Sequence, residues 1–247
     1  MRPILLVWHG IVLHSFYVMI YAALLVTVIL TVYLAQEAGL NGDRAALAVV
    51  LAYIPAFVGA RLLYVAGHWD RFRHEPARMW RRSEGGLSLY GGLAGLFAGA
   101  LPLLWALGLP FAPFFDALVP GILGGLAVAK GGCLLNGCCY GHVTDHWCGV
   151  DLPDDRGVWR RRFPSQIVEM AWAIVVLLLM LAWSVIWRGV SPPAGLIACG
   201  GLALHAAGRL VLQKLRDEGP GEDAAVRKKC IVLIALALST GLFIALR

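Results

Sequence analysis

Seven apolar segments, each about as long as a membrane-spanning helix, constrain the fold of this chain more than any other feature. A helix needs about 20 apolar residues to cross ~30 Å of hydrocarbon. Segments of this kind lie near residues 14–35, 45–66, 86–108, 114–136, 166–187, 193–213 and 229–246. Hydrophobic residues make up 60% of the chain and charged residues only 15%. The sequence therefore predicts an all-α integral membrane protein with about seven transmembrane helices.

The segments predict a single polytopic membrane domain over residues 1–247 and no sizeable soluble domain. The first segment contains His14, and no A-x-A-like cleavage site follows it, so we interpret it as a span and not as a signal peptide. The larger loops share one side of the membrane and lie at 67–85, 137–165 and 214–228. With the chain ends included, that side carries fifteen of the 21 Lys and Arg residues. The positive-inside rule alone would place it in the cytoplasm.

Three basic residues lie within the apolar segments, namely Arg61, Lys130 and Arg209. A charge at mid-membrane depth costs about 2.5–3.5 kcal/mol on insertion scales, so such residues persist mainly where they meet water, an anion or a carbonyl. Each one alone also fits a side chain that extends to a nearby interface. The three together favour a lipid-headgroup cavity that binds an anion. Asp116 and Glu169, near span ends, are candidates to pair with these cations.

Residues 130–141 (KGGCLLNGCCYG) end an apolar segment with a cation, four glycines and three thiols. The glycines permit tight turns and the close approach of a ligand. Together with Cys148, and with His142 and His146 interleaved, the thiols fit a zinc site or a disulfide, but their C-x4-C-C-x8-C spacing matches no strong C-x-x-C pair. The remaining interpretation is free thiols near a headgroup site, where Lys130 would activate a thiol by lowering its pKa if it lies close.

Glycines spaced four residues apart predict closely packed spans. Gly91, Gly95 and Gly99 form two overlapping G-x-x-x-G units, and Gly121 with Gly125 forms another. Small residues at this spacing let helix backbones approach each other. We therefore favour a structural function for these glycines over a catalytic one.

Six short motifs occur in an order that is typical of one known family. They are residues 14–17 (HSFY), 59–64 (GARLLY), 85–92 (GGLSLYGG), 129–138 (AKGGCLLNGC), 164–169 (PSQIVE) and 205–209 (HAAGR), the last followed by Arg216. Any one of them alone is weak evidence. In the order of these motifs over most of its length, and in its seven spans, the chain resembles the bacterial phosphatidylglycerol–prolipoprotein diacylglyceryl transferases.

The resemblance implies a reaction in which a substrate thiol attacks the glyceryl carbon of phosphatidylglycerol and glycerol phosphate leaves. The implied partners are this anionic phospholipid and a thiol acceptor such as a prolipoprotein, with no cofactor and no nucleic acid. It also implies the bacterial inner membrane, with the active side outside the cytoplasm. That orientation opposes the charge count, but arginines that bind lipid phosphate also break the counting rule.

Matched positions assign roles by analogy with the family. The predicted catalytic residues are Tyr90, Lys130, Arg209, His205, His14, Cys138 and Cys139. The predicted substrate-binding residues are Arg61, Cys133, Asn136, Gly137, Gln166 and Glu169. The cations would bind the phosphate, Tyr90 or His14 would orient or deprotonate the nucleophile, and no metal ligand is assigned.

Departures from the family pattern fall within this predicted site. Lys130 replaces an arginine and gives up its bidentate fork. Cys133 and Cys138 replace an asparagine and a glutamate, and His205 stands where tyrosine is usual. Most of the family's large head region between the fourth and fifth spans is also absent, which leaves about 25 residues at 141–165.

These departures motivate two alternative functions. The first is a phosphatidylglycerol-dependent transferase that acts on a different acceptor, for which Cys138 or Cys139 would be a covalent participant. The second is a non-enzymatic membrane protein that binds metal or senses redox state through its cysteine and histidine cluster. The transferases predict lipid consumption that depends on Arg209, whereas the binding protein predicts bound metal or a reversible disulfide.

Overall fold

A computed structural model describes residues 4–8, 11–73, 75–80, 86, 88–153, 157–186, 193–217 and 222–246. Its helices are α1 (Ser15–Glu37), α2 (Gly42–Gly67), the short α3 (Trp69–Phe72), α4 (Leu89–Leu107), α5 (Phe111–Asn136), α6 (Ser165–Ile186), α7 (Leu196–Leu212) and α8 (Glu222–Ala245). Within the described residues, all of these except α3 are long and apolar enough to cross a membrane. The predicted all-α membrane fold with seven spans is confirmed.

Short strands and 3-10 turns fill the connections. Strand β1 (Ile4–Trp8) pairs antiparallel with β2 (Ile11–His14) ahead of α1. Strand β3 (Val150–Pro153) pairs antiparallel with β4 (Trp159–Arg162) between α5 and α6. A 3-10 turn at Gln213–Leu215 follows α7 directly. The β3–β4 hairpin therefore takes up much of the connection between α5 and α6.

The chain divides into two compact units. One consists of Met1–Leu34 and Phe115–Arg247, and the other of Ala35–Phe114. The first contains α6, α7, α8 and most of α1 and α5, and the second contains α2, α3 and α4. The single membrane domain predicted from the sequence stays a prediction.

Close packing of α2 against α4 defines the second unit. A Cβ atom built on Gly95 would overlap the Pro55 carbonyl oxygen, and one built on Gly91 would overlap the Gly59 carbonyl oxygen. Backbones approach this closely only where side chains are absent. The packing function predicted for the first G-x-x-x-G series is confirmed.

We expect Gly95→Ala to destabilise the protein by about 1–3 kcal/mol, because the added methyl group must displace the α2 backbone. The midpoint of thermal unfolding in detergent measures this change. Gly200→Ala in α7 is the matched control, because a Cβ there meets no atom within 4 Å. Alanine has the higher helix propensity, so the control is expected to be neutral or slightly stabilising. Equal midpoints for the two variants would contradict the tight α2–α4 contact.

In the first unit, glycines of α5 bring α1 close along much of its length. A Cβ on Gly121 would overlap Thr31 Oγ1, and a Cβ on Gly125 would overlap Thr27 Oγ1. Nearer the end of α5, a Cβ on Gly132 would lie 2.7 Å from Met19 Cβ. The start of α1 therefore packs against the part of α5 that carries the 130–141 motif.

Helix α6 buries one face at helical spacing, and this face becomes polar at its beginning. The buried positions include Gln166, Glu169, Ala173, Val176 and Met180. Gln166 and Glu169 are 1% and 5% exposed. Buried polar groups require hydrogen-bond partners, so these two side chains mark the end of the unit where a polar site is built.

The Asp116 carboxylate caps the N-terminal end of α7. Its carboxylate accepts hydrogen bonds from the backbone amides of Gly195 at 2.6 Å and Ala198 at 2.8 Å. A negative charge at a helix N-terminus satisfies free amides and complements the helix dipole. Among the described residues, Glu169 is the one of the two candidate acidic residues that forms ion pairs with basic side chains.

Candidate active site

A buried carboxylate with three cations around it occupies one end of the first unit. Glu169 on α6 forms ion pairs with Lys130 Nζ on α5 and with Arg209 Nη1 on α7. Arg216 Nη1, just past the 3-10 turn, lies 3.6 Å from Glu169 Oε1. The side chains of the three cations are 14–19% exposed. We call these four residues the Glu169 cluster. One anion against three cations leaves a formal charge of +2, which attracts a further anion.

The position of each residue along its helix explains why the cluster forms. Lys130 lies near the C-terminal end of α5, Glu169 in the first turns of α6 and Arg209 in the last turn of α7. Because consecutive spans run in opposite directions, these ends meet on the same side of the membrane. Charged side chains there avoid the cost of mid-membrane burial while staying shielded from bulk water.

Two polar atoms beside the cluster have unsatisfied hydrogen-bonding capacity. His205 lies one turn before Arg209 on the same face of α7. Within the part of the chain that the structure describes, His205 Nδ1 and Gln166 Oε1 are buried without a hydrogen-bond partner. Buried polar atoms are normally paired, so two such atoms beside a cationic cluster indicate groups that meet a ligand.

Three thiols converge where α5 ends. The Sγ atoms of Cys133, Cys138 and Cys139 all lie within 4.8 Å of one another. Gly137, at φ +75°, ends the helix in the left-handed conformation that favours glycine. Cys139 adopts φ +60°, which a residue with a side chain rarely does. These two turns fold the chain back, so residues spaced irregularly in sequence become neighbours.

Helix α6 holds this turn through its first residues. Gln166 Nε2 donates a hydrogen bond to the Cys138 carbonyl oxygen at 2.8 Å, and Ser165 Oγ donates to the Cys139 carbonyl oxygen at 2.7 Å. The Cys138 amide donates to the Cys133 carbonyl oxygen at 3.1 Å. The strained conformation of Cys139 is therefore fixed by its surroundings, as is common at functional sites.

The pKa of the Cys139 thiol is lowered well below its ordinary value. Hydrogen bonds from Cys133 and Cys138 to its sulfur are the largest cause, and the positive charges of Arg216 and Lys130 act in the same direction. A lowered pKa means that the thiolate persists as the pH falls below the range in which ordinary thiols become protonated. The lowered pKa favours the thiolate form of Cys139.

We expect the alkylation of Cys139 by iodoacetamide in metal-free protein to be almost unchanged between about pH 8 and pH 6. Free cysteine, with a pKa of about 8.5, loses roughly 80-fold in thiolate over the same interval. Peptide mapping by mass spectrometry measures the rate, and Cys139→Ser identifies the product. Arg216→Ala is expected to restore part of the pH dependence. A rate that falls in parallel with that of free cysteine would contradict the lowered pKa.

A cavity of about 480 Å³ opens beside the thiols, and one cation of the Glu169 cluster, Arg216, also lines it. Cys138, Cys139 and Arg216 line it, and the other lining residues are Asn136, Gly137, Tyr140 and Asp217. This volume lies within the usual range for small-ligand pockets, about 300–1,000 Å³. Since Arg216 belongs to both the cavity wall and the Glu169 cluster, cations, thiols and cavity form one site.

Residues from the connection after α5 fix the backbone around Arg216. Arg162, which is 4% exposed, forms an ion pair with Asp217 at 2.8 Å and lies 4.5 Å above the Tyr140 ring. Gly141 pairs with Arg216 as an isolated antiparallel bridge. The connection that contains β3 and β4 therefore contributes contacts that hold the backbone around Arg216.

Comparison with known proteins decides the family. A model of the prolipoprotein diacylglyceryl transferase family matches residues 3–246. The chain belongs to this family. A phosphatidylglycerol–prolipoprotein diacylglyceryl transferase of Dehalococcoides mccartyi is 28% identical over 218 residues, which are 85% of this chain and 79% of that protein. The enzyme named phosphatidylglycerol–prolipoprotein diacylglyceryl transferase 2 of Clostridium perfringens is 27% identical over 234 residues, 90% of this chain and 86% of the relative.

Membership of the prolipoprotein diacylglyceryl transferase family confirms the resemblance read from the six motifs. The structure brings most of the predicted site residues together at one end of the first unit. They are Lys130, Cys133, Asn136, Gly137, Cys138, Cys139, Gln166, Glu169, His205 and Arg209. Arg216 joins them and was not among the predicted residues. The signal for it was the second arginine of the last family motif, seven residues after Arg209.

The remaining three predicted site residues make different contacts. His14 is exposed at the end of β2 and packs edge-on against Tyr17, with ring centroids 6.1 Å apart. Arg61 and Tyr90 belong to the second unit. There, Arg61 donates a hydrogen bond to the Gly86 carbonyl oxygen at 2.8 Å and packs against the Tyr64 ring. The site roles of His14, Arg61 and Tyr90 stay predictions.

Proposed function

We propose that this chain transfers the diacylglyceryl group of phosphatidylglycerol to a cysteine thiol of a prolipoprotein and releases glycerol phosphate. The names of the relatives include phosphatidylglycerol as the donor and prolipoprotein as the acceptor. The single observation that carries the proposal is the Glu169 cluster, which has surplus positive charge and whose Arg216 lines a cavity of about 480 Å³.

The reaction explains why a surplus of cations is useful. The acceptor sulfur attacks the glyceryl carbon that bears the phosphate ester, so that a C–S bond forms and a C–O bond breaks. The electron pair of the C–O bond leaves with glycerol phosphate, and the thiol proton is lost to a base or to water. Negative charge therefore grows on the phosphate oxygen during the step, and fixed cations stabilise the transition state more than the substrate.

Each member of the site has a role in this scheme. Lys130, Arg209 and Arg216 bind the phosphate, and Glu169 holds their side chains in place before the lipid arrives. The buried atoms His205 Nδ1 and Gln166 Oε1 form hydrogen bonds with the hydroxyl groups of the headgroup. A site held by ion pairs before binding loses little free energy to reorganisation, which favours rapid transfer.

We further propose the bacterial cytoplasmic membrane as the location, with the active side facing away from the cytoplasm. Arg162 and Arg216 count toward a cytoplasmic assignment in the positive-inside rule. Both are held in ion pairs with Asp217 and Glu169, so their presence is explained by the site and not by topology.

We expect a membrane-impermeant maleimide to label Cys148 in intact cells whose outer envelope has been removed. Cys148 lies in the same connection as Arg162 and is half-buried. Cys148→Ser is the control for site-specific labelling. Protection of Cys148 until the cells are lysed would place the site on the cytoplasmic side instead.

The proposed function is tested with purified protein in micelles that contain phosphatidylglycerol. A lipobox peptide is added to one sample and left out of another, and mass spectrometry follows lipid loss, glycerol phosphate and peptide mass. A peptide heavier by one diacylglyceryl group, formed together with glycerol phosphate, is the expected result. No turnover with the peptide or with a cell extract would contradict the proposal.

A different acceptor is the second candidate, and the size of one connection favours it. Between α5 and α6 the structure describes little beyond the β3–β4 hairpin that could dock a protein substrate. Glycerol phosphate release without the peptide, or only after a cell extract is added, would indicate such an acceptor.

A further inference from the structure

The three thiols at the end of α5 have no role in phosphate binding. Cys133, Cys138 and Cys139 face one another, and two of them line the cavity. Three converging thiols have three ordinary chemical uses, namely nucleophilic attack, disulfide formation and metal binding. The proposed reaction argues against the first use, and the geometry fits the third.

A covalent relay through these cysteines does not fit the reaction. If the Cys139 sulfur took the diacylglyceryl group, the product would be a dialkyl thioether. Passing the group onward would require that thioether sulfur to leave as a thiolate from an unactivated carbon, which is far less favourable than loss of a phosphate ester. The enzyme would stop after one turnover, so the thiols do not act as carriers.

The distances among the sulfur atoms fit a single metal ion. Zinc binds thiolate sulfur at about 2.3 Å, which places the ligand atoms of a tetrahedral or trigonal site roughly 3.8–4.0 Å apart. The three Sγ atoms lie within 4.8 Å of one another, so small side-chain rotations complete the geometry. Soft thiolate ligands select zinc and similar ions over magnesium or calcium.

The surroundings of the thiols support a metal site in two further ways. The carbonyl groups of Cys138 and Cys139 are held by Gln166 and Ser165, as expected where an outer layer of hydrogen bonds orients ligands. Three thiolates with one divalent ion carry a net charge of −1. Arg216 lines the same cavity as Cys138 and Cys139, so its positive charge offsets that net charge.

We propose that Cys133, Cys138 and Cys139 bind one Zn²⁺ ion whose fourth coordination position, on the cavity side, accepts the substrate thiol. Catalytic zinc sites have three protein ligands and one open position, whereas structural sites have four. The sulfur of the acceptor binds the ion as a thiolate, and its proton is released to water. The ion stays divalent throughout. The second part of the proposal, the binding of the acceptor, rests on the proposed function.

Metal binding is tested on the full-length protein in detergent, reduced with a phosphine and stripped with a chelator. Zinc alone is added back, and its bound amount is measured by mass spectrometry of the metal. One Zn²⁺ per chain is expected, with affinity at least about 100-fold weaker in Cys133→Ser, Cys138→Ser and Cys139→Ser. Cys199→Ser in α7 is the matched control and is expected to keep full affinity. Less than 0.1 zinc per chain, or equal affinity in all four variants, would overturn the proposal.

Cobalt replaces zinc in a second measurement that needs no variant. Co²⁺ bound by thiolates gives sulfur-to-cobalt charge-transfer absorption and the visible bands of a tetrahedral ion, and both are expected in the wild-type protein. Addition of a lipobox peptide is expected to shift the visible bands, while the same peptide with serine in place of its cysteine is not. Cobalt bands without any response to the thiol would overturn the open position.

The two proposals fail in distinguishable ways. Bound zinc without any turnover of phosphatidylglycerol would refute the proposed function but would be consistent with the metal site. Peptide modification at an unchanged rate in metal-free protein would refute the role of zinc but would be consistent with the proposed transferase function.

Discussion

Arg209→Ala lowers the turnover of phosphatidylglycerol by about 100- to 1,000-fold, the usual effect of removing one preorganised donor from a developing negative charge. Arg209 is the cation on α7 that pairs directly with Glu169. In the proposed reaction its loss removes a contact to the leaving phosphate, and it also leaves Glu169 with one fewer partner. Arg209→Lys keeps the charge without the planar fork, so its rate is expected to lie between those of the wild type and the alanine variant.

Glycerol phosphate release at several lipid concentrations separates the two contributions. A fall in kcat with little change in KM is expected, because the interaction strengthens mainly in the transition state. Arg227→Ala is the matched control, because Arg227 is an exposed arginine at the start of α8. If Arg209→Ala kept a rate within about threefold of the control, phosphate stabilisation by this residue would be excluded.

Glu169→Ala destabilises the protein by about 3–5 kcal/mol, because removing one partner from a buried ion pair leaves uncompensated charge. Three cations would lose their common counter-ion, and all three are largely shielded from water. Glu169→Gln retains the shape and an acceptor oxygen, so a smaller loss is expected.

The midpoint of thermal unfolding measures this loss, with and without added glycerol phosphate. The anion is expected to raise the midpoint of the alanine variant more than that of the wild type, because it replaces the missing carboxylate. Glu75→Ala removes an exposed ion pair with Arg78 and is expected to change stability by less than about 1 kcal/mol. Equal midpoints for Glu169→Ala and Glu75→Ala would show that the cluster does not hold the helices together.

The spans were predictable because the bilayer imposes one length and one composition on every helix that crosses it. Each observed span lies within a few residues of a predicted segment, as α6 (Ser165–Ile186) does against 166–187. Helix packing at Gly95 was also predictable, since its spacing is a local property of the sequence. The β3–β4 hairpin was not predicted, because its strands are only four residues each and carry no clear alternation.

The membership of the site was largely predictable, and Glu169 was one of two candidate partners for its cations. Lys130 and Arg209 were conspicuous as charges within apolar segments. The choice between Glu169 and Asp116 depends on which helix ends meet in space, which no local pattern specifies. Arg216 was omitted because it lies beyond the apolar segment, where an arginine is unremarkable. The convergence of the cysteines depends on backbone turns at Gly137 and Cys139, which the spacing rules for metal sites do not include.

The residues of the Glu169 cluster are synthesised one after another, so the charge of the cluster changes as the chain grows. Lys130 is made 39 residues before Glu169, and Arg209 follows 40 residues after it. A nascent chain that ends after α5 carries one positive charge at this place, and the arrival of α6 cancels it. A surplus develops only when α7 and then Arg216 are added. A chain that ends after α6 therefore has no surplus charge at this place, and the surplus that attracts an anion returns only as the last spans are inserted.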